Sequence, residues 1–459
     1  MALFLFAACW LVVGAGLSTL ASIKLHAPGL FASCPSLTYG RVQPAAWNAL
    51  VFGFAIPVGL GVALWITARL SGTMLLGGRG IVIATVFWNL GLVIGLLGIL
   101  AGDSTGVESL ELPLYASPIL FVAYAAVAVW GPVTFSLRRT PEVYIAQWYL
   151  LGALFLFPWL YGAASLMTVV APLRGVLQAA AQAWFLHNLL TVWLGFVGLG
   201  TLFYFIPKLT ANSVQNRNLA IFGFWTLALF GGLGALQRCH GGPFPAWMLS
   251  LGVVGSVLTA FPLLAVLMNL VPVLRGGGGT ARAGVTLKFV TVALAFYGLA
   301  GFVTVANSFT FLRRTTQFTL FNVALDQMTL LGFFTLAMLG ALYEIAPCLV
   351  RTPWPAPRWV KLHFAVATLA AVVIAVAFGA GGVVQGLAIN DATLPYFAVV
   401  KRYLPFAATG TLAWLLVLVG ALLLALNFAR LVAVHCRQTC IPALKGWFRA
   451  ESVPSEVKA

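Results

Sequence analysis

Apolar residues along this chain fall in unbroken stretches of helical length, not in alternation or in a one-sided stripe. The stretches lie near 2–23, 47–68, 80–101, 113–137, 144–171, 180–206, 219–237, 246–273, 286–308, 326–350, 359–388 and 405–434, and turns rich in Gly, Pro and charge separate them. A helix needs roughly 20 apolar residues to cross a bilayer. The pattern therefore predicts an all-α integral membrane protein of about twelve transmembrane helices. No internal repeat and no linker divides it, and the only low-complexity segment is Gly276–Gly279. Residues 1–459 read as a single transmembrane domain, with 435–459 as a short tail. The first stretch lacks a basic leading segment and a clear cleavage site, so it is expected to be a retained helix.

Composition agrees with that solvent. Of 459 residues, 62% are hydrophobic and 7% charged, against roughly 25% charged in soluble domains. A water-soluble fold is excluded. The net charge of +16, from 25 Lys+Arg against 9 Asp+Glu, would suggest nucleic acid in a soluble protein. Between apolar spans it reads as the basic decoration of cytoplasmic loops, and no nucleic-acid partner is expected. Counted by loop, Lys and Arg favour the side that carries the C-terminus by roughly two to one, which places both termini in the cytoplasm. The loop at 102–112 carries Asp103, Glu108 and Glu111 and no cation, as expected of the opposite side.

Few residues offer chemistry. Charges at span ends are candidate sites because they are costly inside a bilayer. Asp326 opens the tenth span with Arg313 and Arg314 in the loop before it, which suggests an anchoring ion pair among them. Glu344 lies toward the other end of that span, and no chain of carboxylates joins the two. His26, His187 and His240 all fall near the face opposite the termini. Imidazole is a common ligand for copper and haem iron, yet these histidines have no fixed spacing. His435-Cys436 with Cys440 forms one short cluster without a second half, which reads as a solvated tail rather than a soft-metal site. The cysteines form no paired zinc pattern, and whether Cys34 pairs with Cys239 on the oxidising face stays open.

Ordered motifs run through most of the chain, from about Leu11 to Arg430. They include L-T-Y-G-R-V at Leu37–Val42, A-Q-W-Y at Ala146–Tyr149, F-L-H-N at Phe185–Asn188, Y-F-I-P-K at Tyr204–Lys208 and G-F-W at Gly223–Trp225. P-x-W-x-x-x-L-G follows from Pro245 to Gly252, then A-F-Y-G at Ala295–Gly298, G-A-L-Y at Gly340–Tyr343 and Q-G-L at Gln385–Leu387. In order and spacing they resemble subunit I of the cbb3-type cytochrome c oxidases, the C branch of the haem-copper oxidases. That resemblance implies the twelve-span subunit I bundle in a bacterial cytoplasmic membrane, surrounded by lipid and by other subunits of a respiratory complex.

The family holds a low-spin haem b, a high-spin haem b3 and a copper through histidines, and the resemblance fixes where those should stand. The histidine that follows the Gly-Arg-x-x-Pro motif falls at Ala46. The His-Val-His that ligates both haems falls at Leu325-Asp326-Gln327. The first copper ligand matches His187, but the adjacent His-His pair falls at Gln237-Arg238, and the family's cross-linked tyrosine falls at Gly231. A fixed cation at Arg238 repels a cupric ion. His240 matches a further family histidine near the haem propionates. The resemblance thus argues for the fold and against the reaction.

The leading expectation is a non-catalytic paralogue without haem or copper, acting as a structural or assembly partner in a respiratory complex. A redox protein is the second reading, with haem or copper held by a rearranged set from His26, His187, His240, Cys239 or Met328. A transporter or sensor is the third, using the vacated cofactor cavity lined by Gly231, Gly232, Gly234 and Gln237.

Overall fold

A computed structural model of the protein describes residues 1–276 and 284–440, and among these there are helices and no strands. Most of the Gly276–Gly279 run and most of the tail lie outside the described residues. Among the described residues twelve helices are long and apolar enough to cross a membrane. They are α1 (Ala2–His26), α2 (Tyr39–Ser71), α3 (Gly78–Ala101), α4 (Ser117–Ser136), α5 (Ile145–Val170), α6 (Val176–Thr210), α7 (Arg217–Cys239), α8 (Ala246–Arg275), α9 (Val285–Ala306), α10 (Leu320–Val350), α11 (Pro357–Ile389) and α12 (Tyr396–Thr439). The expectation of twelve spans holds. Several helices outrun their apolar stretch: α2 begins at Tyr39 and α12 at Tyr396. Hydropathy registers only the hydrocarbon-facing part, whereas helical hydrogen bonding continues into polar turns.

The helices divide by burial. In α2, α6 and α10 the protein itself buries 94, 94 and 78% of the most apolar window, against 33–50% in the other nine. These three touch one another and form the centre, and the others wrap around them, α11 along α12, α12 along α1 and α1 along α2. Close approach depends on small residues. A Cβ on Gly53 of α2 would sit 2.6 Å from Trp10 Cγ, and one on Gly14 of α1 would sit 2.8 Å from Leu50 Cδ2.

Each central helix widens into π-helical turns, at Ala49–Ala55 in α2, Leu189–Trp193 in α6 and Met328–Thr335 in α10. The widening begins just after Ala46, His187 and Gln327 respectively. Such insertions rotate the side chains that follow and concentrate at functional sites. The carbonyl of Phe52, inside the first of them, accepts the Trp88 indole N–H at 2.8 Å.

An even number of spans brings the start of α1 and the end of α12 to one end of the bundle, and the opposite end is called distal below. There a short helix, Thr310–Thr316, connects α9 to α10 and leans on α11. Glycines of α11 make room for it and for the first turn of α10. A Cβ on Gly386 would fall on the Thr315 carbonyl oxygen, and one on Gly382 on the Phe321 backbone nitrogen, whereas one on Gly379 would meet nothing within 4 Å. Backbone cannot yield as a flexible side chain does. Gly386→Ala is therefore expected to destabilise the bundle by ~1–3 kcal/mol, while Gly379→Ala is neutral or slightly stabilising. Thermal unfolding of the detergent-solubilised chain checks the pair, and equal melting temperatures would contradict the packing described.

Candidate functional site

At the distal end the last turn of α7 tightens to a 3-10 helix, Gly234–Cys239. This turn carries Gln237 and Arg238 toward the start of α10, where Asp326 stands. Arg238 donates from Nη1 to Asp326 Oδ2 at 3.1 Å and from Nη2 to Oδ1 at 2.5 Å. The forked geometry matches guanidinium to carboxylate, and the side chains are only 24% and 20% exposed. The expected pairing of Asp326 with Arg313 or Arg314 is corrected: its partner is Arg238, far away in sequence. Loop neighbours were the wrong guide, because the short helix turns Arg313 inward to a different acceptor.

Arg313 is 5% exposed and donates from Nη2 to the Gln237 backbone carbonyl at 2.9 Å. The Gln237 side chain is satisfied when its nitrogen faces Ser256 Oγ at 2.7 Å and its oxygen accepts from Ser308 N and Arg313 Nη1 at 3.1 and 3.2 Å. Burial first, and the neighbouring Arg238 charge second, pull the Arg313 guanidinium down to about 10. His240, just past α7, is held below its ordinary value by burial and then by Arg313, which favours neutral imidazole. Its carbonyl accepts from Gln317 Nε2 at 2.9 Å.

His187 is buried on α6, and its Nε2 has no hydrogen-bond partner. A Cβ on Gly234 would lie 2.9 Å from that nitrogen, so glycine there leaves room for the imidazole. Beside these groups opens a cavity of about 520 Å³, and His187, Gln237, Arg238, Arg313, Leu325 and Asp326 are in its wall. An apolar pocket of about 80 Å³ shares Leu190, Thr191, Thr304 and Thr329 with it and reaches Tyr297 and Phe333.

The glycines expected to line the cavity do not. Gly231 packs on Val192, Gly232 faces Asn188 and Gly234 faces His187 and Ser256; only Gln237 of that group is in the wall. Small residues here let α6, α7 and α8 close on one another. Deeper in the bundle aromatic rings fill the centre. Trp193, fully buried, stands 6.1 Å from Phe334 and 5.7 Å from Phe157, and donates from Nε1 to Tyr124 Oη at 3.3 Å.

His187, Gln237, Arg238 and Leu325 share one cavity wall, Ala46 and Gln327 lie outside it, and together these positions do not supply the ligands. Ala46 presents a buried methyl and Leu325 an alkyl chain, while Gln327 is buried with Oε1 unpartnered. At the copper pair, Gln237 is committed to Ser256 and Arg313, and Arg238 is a cation paired with a carboxylate. This donor set does not fit an imidazole-ligated haem or copper. Nor are the alternative donors assembled: His26 Nε2 bonds Thr411 Oγ1 at 3.0 Å on α12, Met328 is buried in α10, and only Cys239 shares the cavity with His187. Among the described residues no three His, Cys, Asp or Glu side chains form a metal-sized group. Cys34 and Cys239 are free thiols. The cluster expected at His435, Cys436 and Cys440 ends on a side chain outside the described residues.

Sequence reading missed two features. Arg313 looked like a loop cation, and nothing in its neighbourhood revealed burial against Gln237. His363 on α11 went unremarked, although it is buried and its Nδ1 shares a 2.6 Å hydrogen bond with Tyr343 Oη of α10.

The helical arrangement matches that of a heme-copper terminal oxidase solved as a dimer by cryo-electron microscopy, with a TM-score of 0.72 at 13% identity over 95% of this chain and 84% of that one. That likeness defines the fold class. At the sequence level, a family model described as Cytochrome C and Quinol oxidase polypeptide I matches residues 1–423. Relatives include a cytochrome c oxidase subunit 1 homolog of Agrobacterium tumefaciens (strain T37), 27% identical over 94% of this chain and 82% of its own length. A cbb3-type cytochrome c oxidase subunit CcoN1 of Stutzerimonas stutzeri is 26% identical over 84% of each chain. Cytochrome c oxidase subunit 1 of Rhodobacter capsulatus is 26% identical over 92% of this chain and 83% of its own. The chain belongs to the cytochrome c and quinol oxidase polypeptide I family and is a membrane protein homologous to bacterial respiratory oxidase subunits.

Two measurements probe the site. Breaking a desolvated ion pair leaves one charge uncompensated. Arg238→Gln and Asp326→Asn are each expected to cost ~2 kcal/mol, reduced from fully buried values because both side chains retain some solvent. The double variant should cost clearly less than the sum; additive losses in a thermal double-mutant cycle would show that the pair contributes nothing.

Near Ala46, the buried Glu111 accepts from Asn48 Nδ2 at 2.8 Å. Burial raises its pKa, and the Asn48 hydrogen bond only partly opposes this. Its native-state preference is therefore for the proton: the stability it contributes is present below the ordinary carboxylate range and is lost as pH rises through the raised value. Glu111→Gln should remove that dependence. Its melting temperature relative to the parent is expected to climb from about pH 4 upward, and parallel pH profiles would contradict this.

Proposed function

We propose that this chain is a subunit I paralogue that keeps the oxidase bundle without oxygen reduction and serves as a structural or assembly subunit of a respiratory membrane complex. The observation that carries the reading is the Arg238–Asp326 pair. It joins the copper-pair position on α7 to the position between the two haem-ligand places on α10. Where the family's reaction requires neutral imidazoles on a metal, this chain has a cation locked to an anion, and Gly231 stands in place of the redox tyrosine. The bundle in turn retains close helix contacts and aromatic filling, which suit a chain selected for its shape.

In this reading the whole chain is one transmembrane domain in the cytoplasmic membrane of a bacterium, bounded by lipid and by other subunits. The excess of Lys and Arg places both termini in the cytoplasm. The vestigial ligand positions are Ala46, Gln237, Arg238, Leu325 and Gln327, with His187 the one retained copper-ligand position.

A redox reading draws support from one observation, that His187 and Cys239 share a cavity wall. A reduced-minus-oxidised visible spectrum of the detergent-purified protein, with parallel iron and copper analysis, decides between them. The expected outcome is no b-type haem band and neither metal in stoichiometric amount. A haem band, or copper near one per chain, would sink the non-catalytic assignment.

A further inference from the structure

We propose that the distal cavity between α6, α7 and α10 is a binding site for a small monoanion, a carboxylate carried on an apolar body. The inference rests on the non-catalytic reading, since a cofactor in this space would leave no room for another ligand.

Charge is the first reason. Two guanidiniums, Arg238 and Arg313, are in the cavity wall with a single inner carboxylate, Asp326. The other acid of the wall, Glu108, is exposed at the rim and takes a hydrogen bond from Gln182 at 3.1 Å. Apart from that rim acid, whose charge also reaches Arg238, the inner wall sets two guanidiniums against one carboxylate. A buried charge without a counter-charge is costly, and a monoanion restores the balance where a cation or a neutral molecule cannot.

Unused donors are the second reason. Arg238 Nε and Arg313 Nε are buried without partners. Arg313 is only 5% exposed, so solvent does little to satisfy it. Buried polar atoms are rarely left unpaired, and guanidinium edges suit the two oxygens of a carboxylate.

Shape supplies the apolar body. Leu186, Leu190 and Leu325 stand in the same wall, and the adjoining pocket continues between Leu227, Tyr297 and Phe333. About 520 Å³ falls in the range of small-molecule sites. The mouth is defined by exposed Glu108, Pro243 and Phe318. Phe318 is 73% exposed in a left-handed conformation at φ +62°, and its ring lies 3.0 Å from where a Cβ on Gly241 would be. A bulky residue seldom holds that conformation.

The test is calorimetric titration of the full-length, detergent-solubilised chain with benzoate, with its neutral isostere benzamide and with acetate, on a preparation whose visible spectrum is recorded first. Benzoate is expected to saturate one site per chain and benzamide to bind at least about tenfold more weakly, the loss of a charge-assisted contact. Acetate should also be weaker, because it lacks the apolar body. Arg313→Gln should weaken benzoate about tenfold. Asp326→Asn should strengthen it by freeing Arg238, a gain that a misfolded variant cannot produce.

Equal affinity for benzoate and benzamide, or benzoate binding untouched by Arg313→Gln and weakened by Asp326→Asn, overturns the proposal. A haem-free preparation that ignores benzoate overturns the anion site alone. A haem-loaded one overturns the non-catalytic reading and the site with it.

Discussion

Hydrocarbon offers no hydrogen bonds, and every polar group that enters it must find a partner in the protein. That constraint sets the architecture, because twelve helices satisfy their own backbones along their length. It also governs the departures from regular helix. The π-helical turns of α2, α6 and α10 interrupt the regular ladder, and these are the helices most enclosed by protein. There Trp88 reaches a carbonyl of the widened turn, which lipid could not do. Several polar side chains do the same: Asn89 serves both Trp10 and the Thr85 carbonyl, and Gln147 bonds Ser71.

The interior that results is close-packed between α2, α3, α4, α5 and α6. Rings of Phe52, Trp88, Tyr124, Phe157, Tyr161 and Trp193 lie at centroid distances of 4.3–6.4 Å. Offset and edge contacts of this kind add to plain burial. Glycines that might have marked a cavity mark helix contacts instead. One opening lies at the distal end beside Arg238, Arg313 and Asp326, and another of about 400 Å³ lies at the opposite end beside Met1, Arg69 and Met74.

Much of the fold was legible in the sequence, because span length and apolarity report directly on bilayer thickness. The starts of α2 and α12 were not, since their first turns are polar and hydropathy does not see hydrogen bonding. At the site, the residues at the ligand positions could be read through the family motifs, but their mutual contacts could not. Asp326 seemed tied to Arg313 by proximity in the chain, whereas tertiary packing gives it Arg238. No local pattern distinguishes Arg313, 5% exposed, from its exposed neighbour Arg314. The Tyr343–His363 bond joins two helices through residues that look unremarkable on either one.

The Arg238–Asp326 pair has a further implication for how the site is held. Arg238 alone at the end of α7 would place a cation against low-polarity surroundings beside Arg313; Asp326 alone at the start of α10 would strand an anion. Each is tolerable only because the other is within hydrogen-bond reach. The two positions therefore act as one unit that ties α7 to α10. Ala46, Leu325 and Gln327 need no such compensation, because they carry no charge. Arg313, bonded to Gln237 and without a hydrogen-bonded carboxylate of its own, sets a second guanidinium in the distal cavity wall beside that pair.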